Sequence, residues 1–163
     1  MGRRRVSDTP GPVHDPAALA GYDGPLLLDT HVWVWLLEGD AARITPPLRG
    51  LLEASAARGR LRVLDISYWE VAVKTAQGKL RLSIDASVWF RRAERAPGIA
   101  FLPLDRDVLL LSTRLSDALH NDPADRMLIA AALLHDIPLV TADHRLIEYA
   151  ASHQAPQVVD ART

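Results

Sequence analysis

The chain has 163 residues, enough for one domain with a sizeable core, and its 48% hydrophobic and 24% charged residues exclude general disorder. With no cysteine, disulfides, zinc–thiolate sites and a cysteine nucleophile are all excluded. A net charge of −1 gives no global pull toward nucleic acid, so a polyanion would have to be met by a local patch.

Residues 1–24 are rich in proline and glycine, with little apolar periodicity, and read as a flexible leader ahead of a folded domain over 25–160. Arg3-Arg4-Arg5 has no apolar stretch behind it and is not a signal peptide. No segment approaches the ~20 apolar residues that span a bilayer, so a cytoplasmic protein without membrane contact is expected.

Leu26-Leu27-Leu28, bounded by Gly24-Pro25, predicts a short buried strand that stops at Asp29. A helix follows from Thr30 to about Glu38, ended by Gly39. Trp33 and Trp35 diverge by about 200° on it, so one belongs to the core and the other covers a neighbour or a partner surface. Pro46-Pro47 starts a second helix with Leu48, Leu51 and Leu52 inward, and Arg58-Gly59 ends it. Leu61–Leu64 is a second strand. Ser67 as N-cap and Gly78 as C′ residue then bracket a helix in which Glu70 sits at the capping-box position. Lys74, Lys79, Arg81, Arg91, Arg92 and Arg95 make the densest basic region, around a helix over 84–94. It reads either as a solvated helix face or as the local patch a polyanion would need.

Ile99–Leu102 is a third strand, and Asp105 caps the helix after it. Asp122 as N-cap with Pro123 at N1 opens a helix that is apolar nearly all round, predicting burial. Asp125 lies in its first turn, where the helix dipole welcomes a carboxylate. Ile137–Val140 is a further strand, ending in the turn Thr141-Ala142-Asp143; a helix from His144 and a last edge strand at 157–159 complete the chain. Strand–helix alternation implies right-handed crossovers and a mostly parallel sheet. The six histidines are scattered without ligand spacing.

Asp29, Glu70, Asp125 and Asp143 each have a local explanation: strand end, capping box, helix N-terminus, turn. Parallel-sheet topology brings such positions to the carboxyl edge of the sheet, where ligands bind in open α/β folds. Four carboxylates gathered there repel one another unless a cation neutralises them. Oxygen-only ligation suits Mg²⁺ or Mn²⁺, which bind phosphate oxygens and serve phosphoryl displacement.

Leu27-Leu28-Asp29-Thr30-His31, Ser67-Tyr68-Trp69-Glu70-Val71-Ala72-Val73-Lys74, Gly78-Lys79-Leu80, Asp122-Pro123-Ala124-Asp125-Arg126 and Val140-Thr141-Ala142-Asp143 together resemble the ordered signature of PIN-domain nucleases. More closely, they are similar to the VapC toxins of type II toxin–antitoxin pairs. The resemblance implies a three-layer α/β/α sandwich and a Mg²⁺- or Mn²⁺-dependent endoribonuclease. It also implies a homodimer silenced by a cognate antitoxin. Carried over by position, Asp29, Glu70, Asp125 and Asp143 are the catalytic and metal-binding quartet. Asp122 is an additional acid with a competing N-cap role, and Thr141 reads equally as a hydroxyl near the metal and as a plain turn residue. Ala124 departs from the bulky aromatic usual in the family.

A non-toxin PIN nuclease of RNA processing fits the same motifs. A phosphoacceptor module needs an acidic pair after the first strand and a lysine after the last core strand, both missing here. A haloacid-dehalogenase-type phosphatase needs Asp-x-Asp-x-Thr, and His31 stands at the second acid's place. An inert binding fold has no support while all four acids are present.

Overall fold

A computed structural model describes residues 12–153 and 155–163. Among the described residues, six strands form one sheet: β1 (Val13–His14), β2 (Leu26–Leu28), β3 (Leu61–Leu64), β4 (Ile99–Leu102), β5 (Leu139–Thr141) and β6 (Val158–Asp160). Seven α-helices accompany them: α1 (Thr30–Glu38), α2 (Pro46–Ala57), α3 (Asp65–Ala76), α4 (Ala86–Glu94), α5 (Arg106–Ser112), α6 (Pro123–His135) and α7 (His144–Ser152). The strand order is β1-β6-β5-β2-β3-β4, and each pairing among the described residues is parallel.

The short apolar strands work because both faces of the sheet are covered. Leu26 and Leu28 enter one core with Val32, Trp33, Leu48, Leu52 and Trp89, contributed by α1, α2 and α4. Leu27 points the other way, into a core with Val108, Leu128, Ile129, Leu146 and Ile147 from α5, α6 and α7. Adjacent strands repeat this period-two division: Val140 and Val159 face the first core, Leu139 and Val158 the second. The result is the expected three-layer α/β/α sandwich.

Sequence and structure agree over most boundaries and part at four. The leader expected over 1–24 takes regular structure from residue 12: β1 pairs with β6, a 3-10 turn spans Pro16–Leu19, and Leu19 is buried. Residues 1–11 fall outside the described residues. The expected edge strand near the carboxyl end is therefore interior, with β1 outside it. Ser67 does not cap α3. Strand β3 runs straight into the helix at Asp65, so Ser67 lies buried in the first turn and Glu70 beyond it, which removes the capping-box role. Helix α6 is buried through Leu128–Ala132, but its last turn emerges, leaving Leu134 exposed.

The two tryptophans of α1 divide as their spacing requires. Trp33 is fully buried, edge-on to Trp89 and Phe101, while Trp35 is half-buried between the His31 ring and the Arg43 guanidinium. Gly39 closes α1 in a left-handed conformation at φ 65°, where glycine carries no Cβ penalty.

Candidate active site

The chain order of the sheet reverses at β2: it runs outward through β3 and β4, then returns on the other side as β5 and β6. Crevices form outside the carboxyl ends of strands at such a switch point. Here a cleft of about 340 Å³ opens between the ends of β2 and β5, and Asp29, Glu70, Asp125 and Asp143 all line it. Asp122 lines it too.

Asp29 ends β2 and caps α1. Its Oδ1 accepts from the Thr30 N–H at 2.6 Å, and its Oδ2 accepts from the Thr141 hydroxyl at 2.6 Å. The side chain is almost completely buried, and that burial pushes its carboxyl above the ordinary range despite the pull of His31, Thr141 and the Thr30 N–H. Thr141, at the end of β5, also accepts from the Asp143 N–H at 3.0 Å. One hydroxyl thus ties together two acids from different strand ends.

Asp143 caps α7, with Oδ1 accepting from the Arg145 N–H at 2.9 Å and Oδ2 lying 3.6 Å from the Arg145 guanidinium. Its carboxyl sits below the ordinary range: burial pushes it up, and the Arg145 N–H and guanidinium outweigh that.

Glu70 reaches the cleft from the middle of α3, where Lys74 Nζ lies 2.7 Å from its Oε2. Such an i,i+4 pair on a helix contributes only about 0.2–0.5 kcal/mol. Asp125, in the first turn of α6, is pushed up to about 8, first by burial and then by the negative charges of Asp29, Asp122, Asp143 and Glu70. Its neighbour Asp122 caps α6, accepting from the Ala124 and Asp125 N–H groups at 3.0 and 3.3 Å. The N-cap role expected of Asp122 is the one it performs.

Two histidines that sequence spacing passed over join this cluster. His31 Nε2 accepts the Ala142 N–H at 3.0 Å, which leaves the proton on Nδ1, 3.5 Å from Asp29 Oδ2. His120 Nδ1 accepts the Asp122 N–H at 3.3 Å, so Nε2 carries the proton and faces Asp125 Oδ2 at 3.2 Å. That contact is close but poorly aligned, and Nε2 makes no hydrogen bond. Arg126 holds the loop that presents His120, donating to the carbonyls of Ser112, Leu115 and Leu119 at 2.8–3.0 Å. The only signal in sequence was proximity: His31 stands two residues from Asp29, and His120 two from Asp122.

Ligand atoms of His120, Asp125 and Asp143 lie within 4.8 Å of one another, close enough to share a cation. Asp29 and Glu70 line the same cleft, but their oxygens already have partners in Thr30, Thr141 and Lys74. The donor set suits a hard divalent ion: carboxylate oxygens dominate, and the unrelieved repulsion at Asp125 is what such an ion removes. The His120 tautomer makes that ring a donor toward Asp125 rather than a ready nitrogen ligand.

The basic stretch 74–95 divides in space. Lys74 and Arg81 line the acid cleft, together with Arg43 and Arg145, whereas Arg91, Arg92 and Arg95 border a separate shallow depression. The cleft therefore has an acidic floor and a cationic rim.

Residues 26–152 match the PIN domain family. The chain is 30% identical to Ribonuclease VapC22 of Mycobacterium tuberculosis (strain ATCC 25618 / H37Rv) over 135 residues, 82% of this chain and 95% of that protein. Among solved structures it is similar to FitAcB from Neisseria gonorrhoeae (TM-score 0.59, 20% identity, 83% of this chain and 97% of that one). It is also similar to a toxin–antitoxin complex from Klebsiella pneumoniae (TM-score 0.55, 19% identity, 83% of this chain and 97% of that one).

Proposed function

The chain belongs to the PIN-domain family, and from that premise we propose that it is a VapC-like endoribonuclease, the toxin of a type II toxin–antitoxin pair. The observation that carries the reading is the convergence of Asp29, Glu70, Asp125 and Asp143 on one cleft at the carboxyl edge of the sheet, with Asp125 pushed to about 8 by burial and by its neighbours.

These four acids would hold a divalent cation, Mg²⁺ or Mn²⁺. When bound, the cation supplies Lewis-acid polarisation of the scissile phosphate and makes water more acidic. The chain's own groups do the positioning. The Thr30 N–H and Thr141 hydroxyl fix the Asp29 carboxylate from both sides, and the Arg145 N–H fixes Asp143. The cationic rim of Arg43, Lys74, Arg81 and Arg145 holds the RNA backbone, and water, deprotonated with help from the quartet, attacks phosphorus in line. The P–O3′ bond breaks, leaving a 5′-phosphate and a 3′-hydroxyl.

A cognate antitoxin laid over the apolar residues of α1 silences the enzyme, and half-buried Trp35, at the cleft wall, is its first expected contact. Trp35→Ala should weaken antitoxin binding by calorimetry, and full-strength binding removes that assignment. The homodimer belongs to the same reading, as the family resemblance implies it. Among the described residues no helix is long and apolar enough to cross a membrane.

The test is cleavage of a mixed RNA pool by purified protein with Mg²⁺, with Mn²⁺ and with EDTA, beside Asp29→Asn and Asp125→Asn. Cutting should need the metal and should fall by at least ~10²-fold in both variants while their circular dichroism stays native. Equal cutting by wild type and variants would sink the assignment.

A further inference from the structure

Among the described residues, two long cationic side chains lie against acids of the quartet: Lys74 on Glu70 at 2.7 Å and Arg145 on Asp143 at 3.6 Å. They are held differently. Asp143 keeps its place through the Arg145 backbone N–H whatever the guanidinium does, because that bond is the cap of α7. Among the described residues, Glu70 is held only by the Lys74 ammonium. The lysine side chain is 47% exposed and the glutamate 17%, so the lysine can leave into solvent while the glutamate stays in the cleft.

We propose that Lys74 is an RNA-phosphate-binding residue armed by the metal: the ammonium that neutralises Glu70 is displaced when a divalent cation takes that carboxylate, and then binds a backbone phosphate beside the scissile one. The proposal rests on the nuclease reading above and adds a coupling to it.

The physical argument is one of charge. A divalent ion and an ammonium compete for one carboxylate, and at close range they repel each other. Lys74 is the weaker competitor, since it holds Glu70 through one exposed i,i+4 contact. The freed ammonium has its landing place nearby, because Lys74 and Arg81 line the same cleft as the acids, and two cations there make a better phosphate seat than one. Metal binding then raises RNA affinity, and by reciprocity RNA raises metal affinity by the same factor. An empty site keeps Lys74 folded onto Glu70, so the metal-free protein grips RNA less well.

The competing account is a helix staple, an ion pair that merely steadies α3. The two accounts differ in sign. Removing a staple loosens α3 and weakens metal and RNA binding together. Removing a competitor leaves metal binding equal or tighter and weakens only the metal-dependent part of RNA binding.

The experiment measures two affinities for wild type, Lys74→Gln and Lys74→Arg. Mn²⁺ binding without RNA is read by calorimetry. Binding of a fluorescein-labelled 2′-O-methyl RNA pool is read by anisotropy, in EDTA and in saturating Mn²⁺ at matched ionic strength. Wild type should gain about fivefold or more in RNA affinity with Mn²⁺. Lys74→Gln should lose most of that gain while binding Mn²⁺ at least as tightly, and Lys74→Arg should keep it. An unchanged gain in Lys74→Gln, or parallel losses of Mn²⁺ and RNA, overturns the proposal while the metal site stands. No Mn²⁺ binding by wild type overturns the metal-site reading and this proposal together.

Discussion

The two banks of the cleft are built on different principles. On one bank, Asp29 and Asp143 hang from the ends of β2 and β5, and hydrogen bonds from uncharged donors, the Thr30 and Arg145 N–H groups and the Thr141 hydroxyl, hold them. On the other, Glu70 and Asp125 project from helices α3 and α6; Glu70 meets an exposed lysine, and Asp125 a misaligned imidazole. The strand-end bank is set before any cation arrives. The helix bank holds its charge in contacts a cation can replace, and there Asp125 is pushed to about 8, first by burial and then by the surrounding acids. Under the proposed function, binding and releasing metal and substrate would call for one bank that does not move and one that can change partners.

The strongest way to break this comparison is Asp125→Asn. RNA cleavage should fall by ~10²–10³-fold, the scale on which removing one preorganised electrostatic group acts. Stability of the metal-free protein should move the other way. The Asp125 carboxyl is raised from its ordinary 3.8 to about 8, so between these values the native state binds more protons than the unfolded chain. Stability is therefore lost as pH rises from about 4 to about 8 and is fully present below that window. Asparagine escapes this loss, so its advantage should be absent near pH 4 and amount to a few kcal/mol at pH 8. Thermal melts in EDTA across this range measure it, and saturating Mn²⁺ should erase the advantage by stabilising wild type. A variant less stable than wild type at pH 8 would mean that the helix bank carries no strain.

Thr141→Val tests the other bank, with a smaller effect on activity. The substitution keeps the shape and removes the hydroxyl that donates to Asp29 and accepts from the Asp143 N–H. Leaving these buried groups unpaired should cost about 1–3 kcal/mol. Cleavage should fall ~10–100-fold, as when the support of a metal ligand is lost. Here stability and activity fall together, the reverse of Asp125→Asn. Denaturant unfolding beside an initial-rate assay decides the matter; a neutral Thr141→Val would show that Asp29 does not depend on this hydroxyl.

The sequence exposed the parts of the molecule governed by local rules. The triple leucine ending in an acid, the Thr30–Glu38 helix closed by Gly39, and the Asp122-Pro123 start of α6 all lie where turn and capping chemistry put them. The four acids were readable because each follows a legible element and parallel topology gathers such positions at one edge. What stayed hidden depends on distant pairing. β1 is two residues long and exists by virtue of β6, near the opposite end of the chain. The Thr141 hydroxyl reads as a turn residue until β2 and β5 are laid side by side, 112 positions apart in sequence. Ser67 looked like a cap because no residue signals that β3 enters α3 without a loop. His120 carries no helical spacing toward Asp125, since the two lie on opposite sides of the α6 start.

Ser67 also supplies the finest test of the division, because it joins the banks. Its oxygen accepts the Thr30 hydroxyl at 2.8 Å, linking the residue after Asp29 to the helix that carries Glu70. Both groups are buried, so Ser67→Ala leaves the Thr30 hydroxyl without an acceptor and should cost about 1–2 kcal/mol. In a chain of this size that lowers the melting temperature by roughly 2–4 °C for each kcal/mol. If the strand-end bank is set independently, the loss should stay small in cleavage, under about fivefold, and should appear as weaker metal binding rather than slower turnover at saturating metal, because the Asp29 partners Thr141 and the Thr30 N–H are untouched. A turnover defect as large as that of Thr141→Val would instead make the two banks one mechanical unit, with the Thr30–Ser67 bond as its hinge pin.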